Sequence, residues 1–392
     1  MLEKIQISHY KSISEAVLEL RNVNVLTGIN SVGKSNIIDT LSFLRDLSVN
    51  GIDYAISKRH GIDSIRQWSK SRPYHITLHA NYTDSTGYGF YKITLGSMKG
   101  EYRILKEEGS WTTRIPRGSK NLTRYLNSRF SRSNEHIVTI KHSGQTILSK
   151  EDDIEFKNEK DESFISSLRA ASRGFFGALP ALWREMSDFH SYSIFPNTLR
   201  QTQNPSNDRQ LSESGSNLAS IFKSMQKTRF GQRGRQEIIY LLQKVMPNLE
   251  NIQIQNLGGY LIPSFRVFEK DNQFHDLNVS QVSDGFLRLL GILTALYQPA
   301  LPKVIAIEEP EQTVHPGVLP LLADAIKEAS KRSKILITTH SPSLLDQFDT
   351  DNILSVSSGE RGTEVSSLRA DQIEAVKKQL FSVGELMQME GL

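Results

Sequence analysis

The sequence predicts an α/β protein in which a mixed or parallel sheet is flanked by helices and an α+β insertion interrupts the chain. Two observations lead to this prediction. Short strand patterns alternate with helical patterns at both ends of the chain, and a glycine-rich phosphate-loop pattern joins an early strand to the first helix. We expect residues 1–50 and 276–392 to form the core, and residues 51–275 to form inserted strands and a helical subdomain.

The first 50 residues are predicted to form three strands and then a helix. The stretches LEKIQIS, AVLEL and NVNVLTG are short and alternating or β-branched, which is typical of strands. In SNIIDTLSFLRDL the apolar residues recur at helical spacing. A turn that contains glycine separates the third strand from this helix, which is the setting that a phosphate loop requires.

Gly28 to Ser35 fit the pattern GxxxxGK[ST]. In such a loop the backbone N–H groups curl around phosphates, the lysine reaches the outer phosphates, and the hydroxyl can coordinate Mg²⁺. The helix that follows points its positive end at the same anion. The sequence therefore predicts a nucleoside triphosphate and Mg²⁺ as ligands, with these loop residues in contact with the nucleotide: Asn30, Ser31, Gly33, Lys34, Ser35 and Asn36.

A second group of polar residues follows two apolar strand patterns near the other end of the chain. KVIAIEE is a near-continuous apolar run, GVLPLLADAIKEASKR is an amphipathic helix, and KILITTH is another apolar run. Glu308 and Glu309 therefore fall at the carboxyl end of a strand, where open α/β sheets bind ligands. We expect Glu308 to hold Mg²⁺ and Glu309 to act on the attacking water. An exposed surface turn is the alternative interpretation of these acids.

Two further motifs are candidates for a functional role because they lie next to these strands in the sequence. His340 follows the KILITT strand and could donate a hydrogen bond to a γ-phosphate or to the attacking water; a structural histidine is the alternative. Ser283 and Gly285, in VSDGFLR, precede an apolar helix, and a serine and a glycine at a helix start can bind an anion.

Composition limits the classes of function. The 392 residues contain no cysteine, which excludes disulfides, thiolate zinc sites and cysteine nucleophiles. No apolar run is long enough to span a membrane, and the N-terminal residues lack the apolar segment of a secretion signal. We therefore expect a cytoplasmic protein without membrane contact.

The net charge of +4 is too small for a general polycation, so nucleic-acid binding would depend on local patches. Two stretches without acids qualify, Arg114–Arg132 and Lys223–Arg235. Runs of charge are more often solvated faces, and that interpretation stays open for both.

These motifs, in this order, resemble the ABC-type ATPases of the SMC and RecF group, and most closely the shorter bacterial ATPases related to the overcoming-lysogenization-defect (OLD) family. The opening IQISHYKSISEAVLELRNVNVLTGINSVGKSNIIDTLSFL follows that group nearly position by position. SDGFLRLL resembles its signature motif, IAIEEPEQTVHP its Walker B element and D-loop, and ITTHSPSLLD its switch histidine. LSESGSNL at 211–218 also resembles a glycine-asparagine motif of these proteins.

The resemblance covers about the first 50 and the last 180 residues and implies an ABC-type P-loop ATPase head. It also implies a homodimer in which two ATP molecules are each bound by Lys34 and Ser35 of one chain and by Ser283 and Gly285 of the other. The sequence departs from the group at Glu308, where an aspartate is usual. No Q-loop glutamine is evident, and Gln67 is a candidate only because it follows the first helix.

The resemblance suggests three biological roles. A Toprim nuclease domain follows the ATPase in OLD-type nucleases but is not evident here, which favours an ATP-driven switch that senses a trigger and controls a separate effector, a nuclease or a toxin, in anti-phage defence. The alternatives are a RecF-like DNA-binding ATPase of repair or replication, and a scaffold that binds ATP without hydrolysis. Glu309 and His340 argue against the scaffold, because binding alone needs neither.

Overall fold

The protein is described from a computed structural model that covers residues 1–68, 74–98, 100–116, 123–132, 137–143, 154–157, 162–170, 177–269 and 273–390. The chain divides into two compact units. Unit 1 comprises Met1–Arg21, Ile29–Phe189 and Ser355–Ser366, and unit 2 comprises Asn22–Gly28, His190–Leu354 and Ser367–Leu392. The predicted division at residues 50 and 275 stays a prediction.

The strands, in chain order, are β1 (Leu2–Tyr10), β2 (Ile13–Glu19), β3 (Val23–Thr27), β4 (Ile76–Thr83), β5 (Gly87–Met98), β6 (Glu101–Pro116), β7 (Thr123–Arg132), β8 (Ile137–Ser143), β9 (Ile154–Lys157), β10 (Phe189–Tyr192), β11 (Leu249–Leu257), β12 (Tyr260–Phe268), β13 (Phe274–Asn278), β14 (Val304–Glu308), β15 (Lys334–Thr339), β16 (Ile353–Gly359) and β17 (Gly362–Ser367).

The α-helices are α1 (Lys34–Asn50), α2 (Ile52–Ser57), α3 (Ile62–Ile65), α4 (Phe164–Ser167), α5 (Leu179–Ser187), α6 (Pro196–Arg200), α7 (Leu218–Ser224), α8 (Arg229–Gln243), α9 (Asp284–Tyr297), α10 (Leu319–Ala329), α11 (Pro342–Leu345), α12 (Ala370–Lys377) and α13 (Val383–Glu390). Short 3₁₀ turns cover 168–170, 225–227, 316–318 and 350–352. The elements predicted at the two ends of the chain are present, and the predicted α/β class is confirmed.

Unit 1 is built on antiparallel strands. β1 pairs with β2 on one side and with β4 on the other, and β5 to β9 follow β4 in sequence order. β17 pairs with β2 in parallel. Alternate residues of β4 are buried, which is the period-2 pattern of a sheet with one covered face.

A buried ionic cluster holds α1 in unit 1. Arg59 donates from Nε to Asp39 Oδ1 at 2.8 Å and from Nη1 to Asp46 Oδ2 at 3.0 Å, and Tyr10 donates its hydroxyl to Asp39 at 2.8 Å. Burial acts to raise the pKa of Asp39, but the charges of Arg59 and Lys11 outweigh it and hold that pKa below its ordinary value. Asp39 and Asp46 both lie on α1, so the cluster fixes the helix that begins at the phosphate loop.

Unit 2 contains the parallel strands. They follow the order β10–β14–β15–β3, with β14 and β3 each parallel to β15, and a separate antiparallel sheet contains β11, β12 and β13. β14 and β15 are almost wholly buried, as expected for strands covered on both faces. In α9 every residue from Phe286 to Tyr297 is buried, so this helix forms the centre of the apolar core.

Among the described residues, no helix combines the length and the apolar character that a membrane span requires.

Candidate functional site

Three parallel strands of unit 2 end at the same edge of the sheet. Glu308 is in register with Thr338, and Thr339 is in register with Thr27. Glu309, His340 and Gly28 therefore leave the sheet at the same edge, because each follows the last residue of one of these strands, and Glu308 is the last residue of β14. Parallel strands give this result automatically once their register is fixed.

Glu309 occupies a strained turn immediately after β14. Its φ is 44°, a left-handed conformation that residues other than glycine seldom adopt. Two hydrogen bonds hold the turn, from the Glu309 N–H to the carbonyl of Thr338 at 3.0 Å and to its Oγ1 at 3.1 Å. The side chain is partly exposed, and Oε1 lies 3.6 Å from Nε2 of His340. The turn thus aims the carboxylate toward the histidine at the sheet edge.

Glu311 fixes the backbone beside His340. Its Oε1 accepts hydrogen bonds from the Thr339 hydroxyl at 2.6 Å and from the His340 N–H at 2.9 Å, while Oε2 is buried and has no hydrogen-bond partner. Thr339 Oγ1 in turn accepts the N–H of Ser341 at 3.0 Å. One carboxylate therefore joins the loop after β14 to the loop after β15.

Arg288 connects the signature-like helix to the same turn. This α9 residue is buried, and its guanidinium donates to the carbonyls of Glu308 at 3.2 Å, Glu309 at 2.9 Å and Ile194 at 2.7 Å. Its Cζ lies 5.7 Å from the centre of the Phe195 ring. Burial lowers the pKa of Arg288, partly offset by Glu311 and Glu309. The backbone carbonyls of Glu308 and Glu309 are thus held by the helix that Ser283 begins.

Ser283 and Gly285 lie at the start of α9. Ser283 is the N-cap and accepts the N–H of Phe286 at 3.2 Å. A Cβ on Gly285 would meet the carbonyl oxygen of Thr313 at 2.5 Å, so only glycine fits against this loop. Asp284 pairs with Arg200 at 2.5 Å. The helix start is therefore packed against the loop that follows Glu311 and presents an exposed serine.

The phosphate loop continues from Gly28 into unit 1. Ser31 and Gly33 have φ values of 66° and 108°, and Gly33 is the N-cap of α1. Lys34 is buried, and its Nζ donates to the carbonyl of Ile29 at 2.9 Å, so the ammonium lies within the curve of the loop. Ser35 lies exposed in the first turn of α1. Backbone N–H groups, an ammonium and a hydroxyl are therefore assembled where a polyphosphate could be held.

Three side chains support this loop from within unit 1. Thr363 donates its hydroxyl to the carbonyl of Val32 at 2.6 Å and lies 2.7 Å from the hydroxyl of Ser12, which also accepts from the Asn36 amide at 2.7 Å. A Cβ on Gly33 would collide with Thr363 and Ser12. Asn36 thus has a structural partner in addition to its predicted nucleotide role. The sequence could not reveal this support, because Ser12 and Thr363 are 351 residues apart.

Gln67, the Q-loop candidate, lies in unit 1 beside the segment that carries Thr363, since a Cβ on Gly362 would meet both the Ser12 carbonyl oxygen and Gln67 Nε2. Its amide donates to the carbonyl of Arg361 at 2.7 Å, and Ser14 Oγ is 3.4 Å away. Its Q-loop role stays a prediction, as do the nucleotide roles of the exposed Asn30 and Ser31.

The donor atoms at these motifs fit Mg²⁺. Ser35 and Glu308 offer a hydroxyl and a carboxylate, and Mg²⁺ prefers such hard oxygens, with substrate phosphates and waters completing its shell. Among the described residues no group of three or more histidine, aspartate or glutamate side chains could hold a metal by itself.

The basic residues of the two stretches differ in their surroundings. Arg117 and Lys120 lie outside the described residues. Arg132 is buried 3.9 Å from Glu107, and Arg129 lies 3.5 Å from Glu108, so these arginines face acids of the neighbouring strand. In the second stretch Arg235 bonds to the Asn251 side chain and the Ile252 carbonyl, whereas the remaining members, Lys223, Lys227, Arg229 and Arg233, are exposed.

Replacing Glu311 tests its positioning role. We expect Glu311→Ala to lower kcat for ATP about tenfold with little change in KM, because two charge-assisted hydrogen bonds near His340 are lost. Glu311→Gln is the matched control: its amide oxygen can still accept both bonds, so it should stay closer to the wild type. Steady-state ATPase assays measure the difference, and a wild-type kcat in Glu311→Ala would contradict the role.

Comparison with known proteins identifies the family and the fold. The family profile described as "AAA domain, putative AbiEii toxin, Type IV TA system" matches residues 23–346, well over half of the chain. A search of curated proteins gave no significant match. One similar solved structure is an SMC head bound to the C-winged helix domain of ScpA, with 15% identity, a TM-score of 0.53, and 96% of this chain and 99% of that chain covered.

Another similar structure is an SMC head domain with an extended coiled coil, bound to the C-terminal domain of ScpA, derived from Pyrococcus furiosus. It has 11% identity and a TM-score of 0.50, and the alignment covers 97% of this chain and 99% of that chain. The resemblance that the motifs predicted is confirmed. The chain therefore belongs to the AAA-domain family that the profile describes, and its fold is similar to that of SMC head domains.

Proposed function

We propose that this protein binds and hydrolyses ATP in a homodimer and that the ATP-dependent state of the dimer controls a separate effector. The observation that most supports hydrolysis is the arrangement at the sheet edge, where Glu309 Oε1 lies 3.6 Å from His340 Nε2 beside the strand that leads into Gly28. A carboxylate and an imidazole at this spacing can orient a water and accept its proton. ATP binding alone would not need them.

The roles follow from the chemistry of each group. Lys34 and the N–H groups of the phosphate loop bind the phosphates, Ser35 and Glu308 are the Mg²⁺ ligands, and Glu309 is the general base. Mg²⁺ supplies neutralisation of phosphate charge when bound. His340 donates to the γ-phosphate or to the water.

Ser283 and Gly285 act on the nucleotide of the partner chain. Ser283 is exposed at the positive end of a 14-residue helix, a suitable donor surface for an anion presented by a second copy. A twofold dimer would pair each phosphate loop with the signature serine of the other chain.

Control of an effector is supported by the comparisons. The family description names a putative toxin and a type IV TA system, and the similar SMC heads are bound to a separate protein, ScpA. We infer that this protein controls the activity of a second chain, a nuclease or a toxin, and that it acts in anti-phage defence.

A RecF-like DNA-dependent ATPase remains the second candidate, favoured by the exposed Lys223 and Lys227. This function requires hydrolysis that DNA stimulates and DNA binding that weakens steeply with salt.

A complementation experiment tests the shared site. Lys34→Ala and Ser283→Arg should each abolish ATPase activity, because each damages both sites of a homodimer. Mixing the two proteins should restore about one quarter of the wild-type rate, since half of the dimers are mixed and each of these has one intact site. The measurement is phosphate release against mixing ratio. A mixture no more active than its parts would contradict the shared site.

The effector is tested with the same chain. Tagged Glu309→Gln protein purified with ATP and Mg²⁺ should retain a second protein that Lys34→Ala, purified in parallel, does not. The absence of a second protein from both preparations would count against control of an effector and leave the proposal of ATP hydrolysis untouched.

A further inference from the structure

Unit 2 contains an open cavity of about 660 Å³ to which no role has been assigned. Its walls come from the loop 205–209, from α7 and the 3₁₀ turn that follows it, from Asn256 in the β11–β12 hairpin, and from Pro299 and Ala300 after α9. A volume of this size is typical of small-molecule sites.

The cavity lies at the opposite end of α9 from the signature serine. Ser283 caps the helix at its start, and Pro299 follows its C-terminal end by two residues. Fourteen helical residues at 1.5 Å each separate the two ends by about 20 Å. Ala300 also precedes β14, whose far end carries Glu308. The cavity is therefore distinct from the candidate nucleotide residues but is joined to them by one rigid helix and one strand.

Cations outnumber acids around the cavity. Arg209, Lys223 and Lys227 are exposed at its wall, and none of them forms an ion pair within the described part of the chain. The lining includes Asp208, but its Oδ2 already accepts from the Ser206 hydroxyl at 2.5 Å and from the Asn217 amide at 3.3 Å. Three positive side chains without ion-pair partners repel one another, and a bound anion would offset this repulsion.

The remaining lining suits an ester of phosphate. Ser220, Ser224 and Thr228 supply hydroxyl groups, and Thr228 is also the N-cap of the 15-residue helix α8, accepting the N–H of Gly231 at 3.0 Å. Leu261 and Pro299 supply an apolar wall for the carbon part of a ligand. The loop that carries Arg209 is anchored, because Asn217 donates to the Gln210 carbonyl at 3.1 Å and accepts from Ser212 N–H at 2.8 Å.

From these observations we infer that the cavity is a second ligand site, specific for a phosphate-bearing molecule held by Arg209, Lys223 and Lys227. Such a ligand could be a free phosphorylated small molecule or the phosphorylated end of a nucleic acid. The ligand would contact residues that directly follow α9, the helix that carries Arg288 and Ser283. Its binding could therefore change the position of this helix, and the ligand would then be the trigger of the proposed switch. Binding itself needs no hydrolysis.

The test uses the full chain with Lys34→Ala, so that phosphate probes do not report on the phosphate loop. Calorimetry with inorganic pyrophosphate, with a short 5′-phosphorylated oligothymidylate and with the same oligonucleotide lacking the phosphate should show binding by at least one phosphorylated probe. Adding Lys223→Gln and Lys227→Gln should weaken that binding at least tenfold, because each lysine provides a charge-assisted contact. These exposed substitutions should leave the fold intact.

The matched control is Lys377→Gln with Lys378→Gln, which removes the same charge from an exposed helix end in unit 2. It should bind as the parent does. Pyrophosphate binding indicates a free phosphorylated ligand; binding of the phosphorylated oligonucleotide alone, weakened further by Arg229→Gln and Arg233→Gln, indicates a nucleic-acid end. No binding by any phosphorylated probe, or equal loss in the control, would overturn the proposal, and neither result would affect the ATPase proposal.

Discussion

The Glu309→Gln protein is expected to hydrolyse ATP about 10²–10⁴-fold more slowly than the wild type while it still binds ATP. Glutamine preserves the length of the side chain but cannot accept the proton of the attacking water. Lys34 and Ser35 are unchanged, so phosphate and Mg²⁺ binding should persist. ATP that binds without turnover should hold two chains together, and the variant should elute as a dimer in ATP and as a smaller species without it.

Quenched-flow measurement of a single turnover gives the rate, and size-exclusion chromatography with light scattering gives the mass. Glu328→Gln is the matched control: it makes the same change on an exposed helix and disturbs only a surface pair with Lys331. It should behave as the wild type does. Wild-type hydrolysis by Glu309→Gln would show that the general base has been assigned wrongly, whatever the mass of the complex.

The loss of hydrolysis in Glu308→Gln should depend on the Mg²⁺ concentration, unlike the loss in Glu309→Gln. The neighbouring carboxylate is proposed as a Mg²⁺ ligand, so its loss should be offset in part by a higher Mg²⁺ concentration. The turn at Glu309 explains how adjacent glutamates can have separate roles: a strand ends at Glu308, and the left-handed φ of 44° at Glu309 redirects the next side chain.

Much of the fold was predictable because its elements carry strong local signals. The runs VIAI and ILIT have the composition of strands buried on both faces, and they form β14 and β15. The phosphate-loop pattern predicts a glycine-containing turn between the third strand and the first helix, and in the structure Gly33 of this turn is the left-handed N-cap of α1. In the middle of the chain YHITLHANY and GYGFYKITLG have the pattern of strands and form β4 and β5, but the order in which β4 to β9 pair depends on contacts between segments, for which the local pattern holds no signal.

The site was predictable only where a motif is continuous in sequence. Glu309 and His340 each follow a strand, so parallel pairing brings them to one edge. The support of the phosphate loop by Ser12 and Thr363 depends on pairing between distant segments, for which a single sequence holds no signal. The charge pattern correctly indicated that Arg129 is exposed, but it could not reveal that Glu108 faces this arginine across the sheet at 3.5 Å.

The sequence also did not predict the role of Arg288, because an arginine in an otherwise apolar helix is usually interpreted as part of the exposed, polar face of that helix. Its burial and its three carbonyl partners instead make it a positioning residue that acts through Glu309. Arg288→Met keeps an apolar side chain of similar length over Phe195 but releases the carbonyls of Glu308 and Glu309. We expect kcat to fall about 10²-fold, because displacement of a catalytic group by about 1 Å has that effect.

Arg332→Met is the matched control for this substitution. Arg332 also contacts α9, by donating to the Leu296 carbonyl at 3.3 Å, and it lies over an aromatic ring, Phe230, at 5.4 Å, but at the helix end away from the turn. It should retain nearly full kcat. Thermal unfolding of both variants shows how much stability each loses.

Stability alone cannot distinguish a positioning role from a structural one, but a double-mutant cycle can. If Arg288 acts through the Glu309 carboxylate, adding Arg288→Met to Glu309→Gln should cause no further loss of hydrolysis, because the group it positions is already inactive. ATP affinity should change little in either background, since Arg288 contacts the turn and not the phosphate loop. Additive losses, or a rise in KM without a fall in kcat, would instead make Arg288 a general support of the core. The first outcome would also give the signature-like helix a direct means of influencing hydrolysis: movement of α9 upon dimer formation would move the carbonyl of the general base with it.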